Sequence, residues 1–178
     1  MAHPFHGDPS RLDNPRRRRL LPAKKILQAM DIYQGATIVD FGAGIGYFSI
    51  PALDLVGPSG QVIAIDRSPE MLAELRRRAG PRPNLTVVEG TDLALWTADR
   101  ILLIAVLHEL DDPASFLKEC FAHLNPKGRL EVIEWQKKRM LDGPPYTERI
   151  AKDDLLRMTN HPHRDLPIHP SLYFLEFE

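Results

Sequence analysis

Ile38-Val39-Asp40-Phe41-Gly42-Ala43-Gly44-Ile45-Gly46-Tyr47 sets three glycines at alternate positions directly behind a short apolar run. The run Ile38 to Phe41 reads as a strand, and Tyr47 to Leu55 reads as a helix. Alternate glycines between the two let the backbone turn tightly and admit a ligand where a Cβ would block it. The helix then presents free N–H groups and the positive end of its dipole. About 20 residues past the last glycine, Asp66 closes the next apolar run. A carboxylate there can accept hydrogen bonds from both hydroxyls of a ribose.

The glycines alone do not choose between nucleotide-like ligands, but two neighbours do. The dinucleotide fingerprint wants Gly or Ala at its sixth position, where this chain has Tyr47. Asp40 stands two residues before Gly42, and a carboxylate there suits an ammonium group and opposes a pyrophosphate. Both details disfavour a nicotinamide-dependent oxidoreductase.

Outward from the turn, apolar runs alternate with helical patterns. Pro22 opens a helix with Ile26, Leu27 and Met30 on one face. Gln61 to Asp66 reads as a second strand, and Ser68 caps a helix that starts at Pro69 and buries Met71, Leu72 and Leu75. Further strands are expected over Leu85–Glu89, Ile101–Val106 and Gly128–Trp135, with a helix from Asp112-Pro113 between the last two. A short helix over Lys152–Met158 and an antiparallel final strand over Leu172–Phe177, on an edge, complete the pattern. Residues 159–171, with prolines at 162, 167 and 170, take no regular assignment. The expected fold is α/β, a Rossmann-like doubly wound, mostly parallel sheet with helices on both faces. It occupies residues 20–178, and 1–19 form an N-terminal arm.

Bulk properties exclude several classes. With 178 residues, 43% hydrophobic and 26% charged, the chain suits one globular domain. A net charge of -1 gives no global field for nucleic acid or an anionic membrane. The single cysteine, Cys120, rules out an internal disulfide and fits a core thiol on a helix face. There is no apolar stretch near the roughly 20 residues that span a bilayer, and Met1 to Asp8 hold no signal core. A cytoplasmic location is expected. No metal site is expected either, because His161, His163, His169, His3 and His6 are interspersed with prolines that fix no ligand geometry.

The whole pattern resembles the class I S-adenosylmethionine-dependent methyltransferases, in particular the small ubiquinone/menaquinone-biosynthesis type. Asp40 to Gly46 resembles the family's first motif, and Asp66-Arg67-Ser68-Pro69-Glu70-Met71-Leu72 its second. Val88-Glu89-Gly90-Thr91-Asp92 resembles the third, with Thr91 standing where family members commonly carry the acid. Asp99 through Leu107-His108-Glu109-Leu110-Asp111-Asp112-Pro113 resembles the fourth strand and its loop, and Pro126-Lys127-Gly128-Arg129-Leu130 the turn into the fifth. The resemblance implies S-adenosylmethionine as cofactor, held by Asp40, Gly42, Ala43, Gly44, Gly46, Asp66, Arg67, Met71, Thr91, Asp92 and Ala105.

Methyl transfer from a sulfonium is an in-line displacement, accelerated mainly by alignment and exclusion of water. A base is needed where the acceptor must lose a proton, and His108 and Glu109 beyond the fourth strand are the candidates. A small-molecule acceptor is expected, with a non-catalytic S-adenosylmethionine-binding module as the alternative. Nucleic acid is not expected: Gly143-Pro144-Pro145-Tyr146 resembles the signature of amino-methylating nucleic-acid enzymes, but it follows the fifth strand rather than the fourth. Arg16 to Arg19 read as a solvated face. The arm, or the second subunit of a homodimer, is expected to close the acceptor side.

Overall fold

The structure, a computed structural model, describes residues 12–178. In chain order the elements are α1 (Pro15–Leu20), α2 (Ala23–Ala29), β1 (Thr37–Phe41), α3 (Ser49–Val56), β2 (Gln61–Asp66), α4 (Pro69–Ala79) and β3 (Leu85–Glu89). Then follow β4 (Ala98–Ile104), α5 (Pro113–Ala122), β5 (Leu124–Trp135), α6 (Lys152–Met158), β6 (His163–Asp165) and β7 (Leu172–Phe177). They build one seven-stranded sheet in the order β3-β2-β1-β4-β5-β7-β6. The first five strands run parallel, and β7 pairs antiparallel with both β5 and β6.

Successive residues of a strand point to opposite faces, so a strand buried on both sides must be apolar throughout. β1 shows the division. Ile38 packs with Leu27, Ala52 and Leu53 from α2 and α3, whereas Val39 and Phe41 pack with Leu117 and Cys120 from α5. α4 lays Leu72 and Leu75 on Ala64 of β2, the same face that α3 covers. Burying that many aliphatic side chains at roughly 1.5–3 kcal/mol each supplies the main stabilising term. Pro69 and Pro113 each open their helices, and Ser68 and Asp112 cap them by accepting from the N–H groups of Met71 and Ser115.

Several expectations need correction, and among them β4 begins at Ala98 rather than Ile101 and β5 at Leu124 rather than Gly128. The helix after the glycines begins at Ser49 rather than Tyr47, because the turn continues through Phe48. β4 stops at Ile104, before Val106: Ala105 flips to φ +56° while its N–H still donates to the carbonyl of Ile133 at 2.7 Å. The segment 159–171 contains β6, a three-residue strand that pairs with β7 between Pro162 and Pro167. With β6 outside it, β7 is an inner strand rather than an edge, and all six of its residues are buried.

Of the arm, residues 1–11, with His3 and His6, lie outside the described residues. Residues 12–19 are docked. Asn14 caps α1 by accepting from the N–H of Arg17 at 2.9 Å, and Leu20 and Leu21 at its end enter the core. Among the described residues no helix is long and apolar enough to cross a membrane.

Candidate active site

The sheet reverses its winding between β1 and β4, and in such folds the crevice at the carboxyl ends of those strands is where ligands bind. One cavity of about 880 Å³ opens there. One of its walls is the glycine turn. The N–H groups of Gly42 and Ala43 both donate to the carbonyl of Ile65, at 2.8 and 3.0 Å, and this pins the turn to the end of β2. Asp66 at that end accepts from Gly44 N–H at 2.7 Å and from Ser68 N–H at 2.9 Å. A carboxylate has about four acceptor sites, so lone pairs remain for a ligand's hydroxyl groups.

The glycines divide their work. Gly42 has φ +72°, and a Cβ on it would stand 2.7 Å from Val106 Cγ2, so close passage past the β4 loop requires its absence. Gly44 lines the cavity, but its Cβ would meet only Leu12 Cδ1 at 3.2 Å. Gly46 does not line this cavity; a Cβ there would strike Leu75 Cγ at 2.8 Å, so it serves the packing of α4.

Asp40 lies beneath the turn, 3% exposed, and accepts a 2.5 Å hydrogen bond from the Ser49 hydroxyl. Burial pushes its carboxyl up to about 6, and the like charge of Asp66 adds to this. An unneutralised acid in a ligand cavity is what a cationic group would relieve. Ala43, Arg67, Met71 and Ala105 also line the cavity. Thr91 and Asp92 do not; both are exposed past β3, and Asp92 accepts instead from Ala94 N–H at 2.7 Å.

On the far side, Leu107–Glu109 form a single 3-10 turn that carries His108 into the cavity. Its Nδ1 lies 3.0 and 2.9 Å from the two carboxylate oxygens of Glu134, a β5 residue with no exposed surface. With Nδ1–H held there, Nε2 is the ring nitrogen left for a ligand. Burial disfavours charge on His108, yet Glu134, with smaller help from Glu109 and Glu148, outweighs it and holds the imidazole above its ordinary value. Glu109 pairs with Arg67 at 3.2 Å and faces the mouth of the cavity. Trp135 and the Asp142–Pro145 stretch complete this wall, with Gly143 seated on the Trp135 ring.

Two wall residues come from α1, contrary to the reading of Arg16 to Arg19 as a solvated face. Arg16 forms a 2.5 Å ion pair with Asp142, which ties α1 to the loop after β5. Arg17 lines the cavity and places its guanidinium carbon 5.4 Å from the centre of the Tyr47 ring. Glu134 and Arg17 are the residues at this cavity that the sequence pattern does not single out. The available signal for Glu134 was a carboxylate inside a strand otherwise apolar enough to be buried on both faces. Cys120 is buried in the core away from this cavity, and its thiol is pushed strongly up by burial.

Comparison with known proteins agrees with this architecture. The family model described as a methyltransferase domain matches residues 39–130. A demethylmenaquinone methyltransferase of Lactococcus lactis is 31% identical over 116 residues, covering 62% of this chain and 46% of that protein. A ubiquinone/menaquinone biosynthesis C-methyltransferase of Pasteurella multocida is 33% identical over 113 residues, covering 60% and 42%. A crystal structure of a SAM-dependent methyltransferase from Aquifex aeolicus superposes with a TM-score of 0.85 at 26% identity, covering 96% of this chain and 98% of that one. The fold and the crevice define a nucleotide-type ligand site on a doubly wound sheet. The chain belongs to the methyltransferase-domain family, in its class I S-adenosylmethionine-dependent branch. It spans less than half the length of those two curated relatives.

Proposed function

We propose that the protein transfers the methyl group of S-adenosylmethionine to a small-molecule acceptor bound beside His108. The observation that carries this reading is the continuity of the cavity, which joins Asp40, Gly44 and Asp66 on one wall to His108 and Pro144 on the other. At about 880 Å³ it falls within the roughly 300–1,000 Å³ range of small-molecule sites.

When bound, the cofactor supplies an electrophilic methyl on a sulfonium. Asp66 takes the ribose hydroxyls, Asp40 faces the ammonium of the methionyl group, and Met71 packs beside the nucleoside. Arg67 and Ala105 border it, whereas Thr91 and Asp92 lie past β3 outside the cavity. His108 Nε2 accepts the proton that the acceptor's nucleophile gives up as the new carbon bond forms. Glu134 holds the ring in the tautomer that leaves Nε2 bare, and Glu109 orients the mouth through Arg67. Residues 20–178 form the working domain in this reading, and Leu12, Asn14, Arg16 and Arg17 from the described part of the arm line its cavity. Nucleic acid is not the acceptor, because the proline pair follows β5 and the net charge is -1.

Calorimetry against S-adenosylmethionine and NAD tests the donor. Binding of the first in preference to the second is expected, and preference for NAD overturns the reading. Incubation with methyl-labelled S-adenosylmethionine and a deproteinised, nucleic-acid-free metabolite extract tests the acceptor. Label should enter a small molecule with the wild type and not with His108→Ala. In a parallel incubation with the RNA removed from the same extract, label entering the RNA and not the metabolites overturns the small-molecule assignment. Tight donor binding with no transfer to any fraction favours a non-catalytic binding module instead.

A further inference from the structure

The cavity contains two charged side chains of opposite sign that do not satisfy each other. Asp40 is buried under the glycine turn, with the Ser49 hydroxyl as its neutral partner. Arg17 reaches the same cavity from α1, and its Nε is shielded from solvent with no hydrogen-bond partner. Among the described residues the two form no ion pair, although each feels the other's field. Burial disfavours charge on both. Leaving a guanidinium N–H desolvated and unpaired is costly unless a ligand completes it.

The neighbours of Arg17 explain how it is held without a partner. Its own N–H is taken by the Asn14 cap, and its guanidinium lies over the Tyr47 ring, whose hydroxyl donates to the carbonyl of Leu21 at 2.7 Å. Its nearest acid on α1's side, Asp13, is already engaged by Arg18 at 2.7 Å and Arg78 at 2.9 Å. The guanidinium is thus held over the Tyr47 ring with its Nε–H unpaired. Guanidinium matches a carboxylate through two parallel hydrogen bonds, which an ammonium cannot do.

We propose that Arg17 binds the α-carboxylate of the cofactor's methionyl group while Asp40 binds its α-ammonium, so that the pair reads the amino-acid zwitterion. This rests on S-adenosylmethionine being the donor. It makes Arg17 a positioning residue: fixing the carboxylate sets the direction in which the sulfonium methyl points. It also gives α1, expected from sequence to be a loosely docked arm, a direct part in holding the donor.

The test measures affinity, not turnover. S-adenosylhomocysteine carries the zwitterion, and 5′-methylthioadenosine is the same nucleoside thioether without it. By calorimetry, Arg17→Met should weaken S-adenosylhomocysteine about 10–100-fold, the range expected when a charge-assisted hydrogen bond worth about 1.5–3 kcal/mol is lost. The affinity for 5′-methylthioadenosine should change by less than about threefold, which also reports that the variant is folded. Arg17→Lys should fall between, keeping charge but losing the fork. Equal weakening of both ligands, or of neither, with a folded variant overturns the assignment to the carboxylate. Failure of the wild type to bind either nucleoside overturns the donor reading itself, which is a different outcome from a silent Arg17→Met.

Discussion

The imidazole Nδ1 of His108 sits within 3.0 Å of both carboxylate oxygens of Glu134, and Glu134 in turn is buried completely in the sheet. The contact links a loop residue after β4 to the neighbouring strand β5, so the ring's direction is set by the sheet and not by the loop.

His108→Ala is expected to reduce kcat by about 10²–10⁴-fold while leaving S-adenosylmethionine affinity intact. The pH profile separates its role from that of Glu134. Because Glu134 raises the proton affinity of His108, the base form is lost as pH falls through that raised value, and kcat should climb with pH on this limb. Glu134→Gln keeps an acceptor for Nδ1–H but removes the charge, so the limb should move to lower pH. A limb that stays in place in Glu134→Gln would show that another group titrates.

Asp40 predicts a trade between stability and binding. Its carboxyl is pushed from 3.8 to about 6 in the folded protein, so folding takes up a proton between those values. Stability of the ligand-free protein therefore declines as pH rises from about 4 through about 6, by at most about 1.4 kcal/mol for each pH unit crossed. Asp40→Asn should raise the melting temperature at pH 8, leave it unchanged near pH 3, and weaken S-adenosylhomocysteine. Calorimetric melting at the two pH values checks the sign; equal effects at both would remove the burial argument.

The glycines should respond differently to the same change. Gly46→Ala forces a Cβ to within 2.8 Å of Leu75 at φ +78°, and should destabilise by about 2–4 kcal/mol from overpacking and backbone strain. Gly44→Ala, at φ +52°, shares the backbone strain but meets only a flexible leucine terminus, so it should cost less stability while intruding on the glycine wall of the cavity. Urea denaturation together with ligand titration would order the two. Gly44→Ala proving the less stable variant would contradict this division.

What the sequence made legible was whatever lies in one contiguous stretch. The glycine turn, Asp66 and the caps at Ser68 and Asp112 are local, and the structure has them where the pattern put them. The fold class followed from the same alternation of apolar runs. His108 was visible because a polar residue directly behind an apolar strand stands out. Its partner was not, because the contact crosses 26 residues and no local period records a pairing between strands. Arg17 was hidden among four consecutive arginines, and only the geometry of α1 carries it to the cavity. β6 was invisible for a simpler reason: three exposed residues between prolines carry no periodicity at all, and only β7 beside them makes a strand.

The position of β7 bears on how the molecule is made. Among the described elements β7 is the last to leave the ribosome, yet it lies between β5 and β6 and supplies the cover for β5 from Leu130 to Trp135. Until it emerges, β5 presents an unpaired apolar edge with Glu134 unsupported beside Tyr173, a form open to aggregation. The nascent chain can thus wind its parallel half during synthesis, but the wall that carries His108 and Glu134 sets only after β7 is inserted.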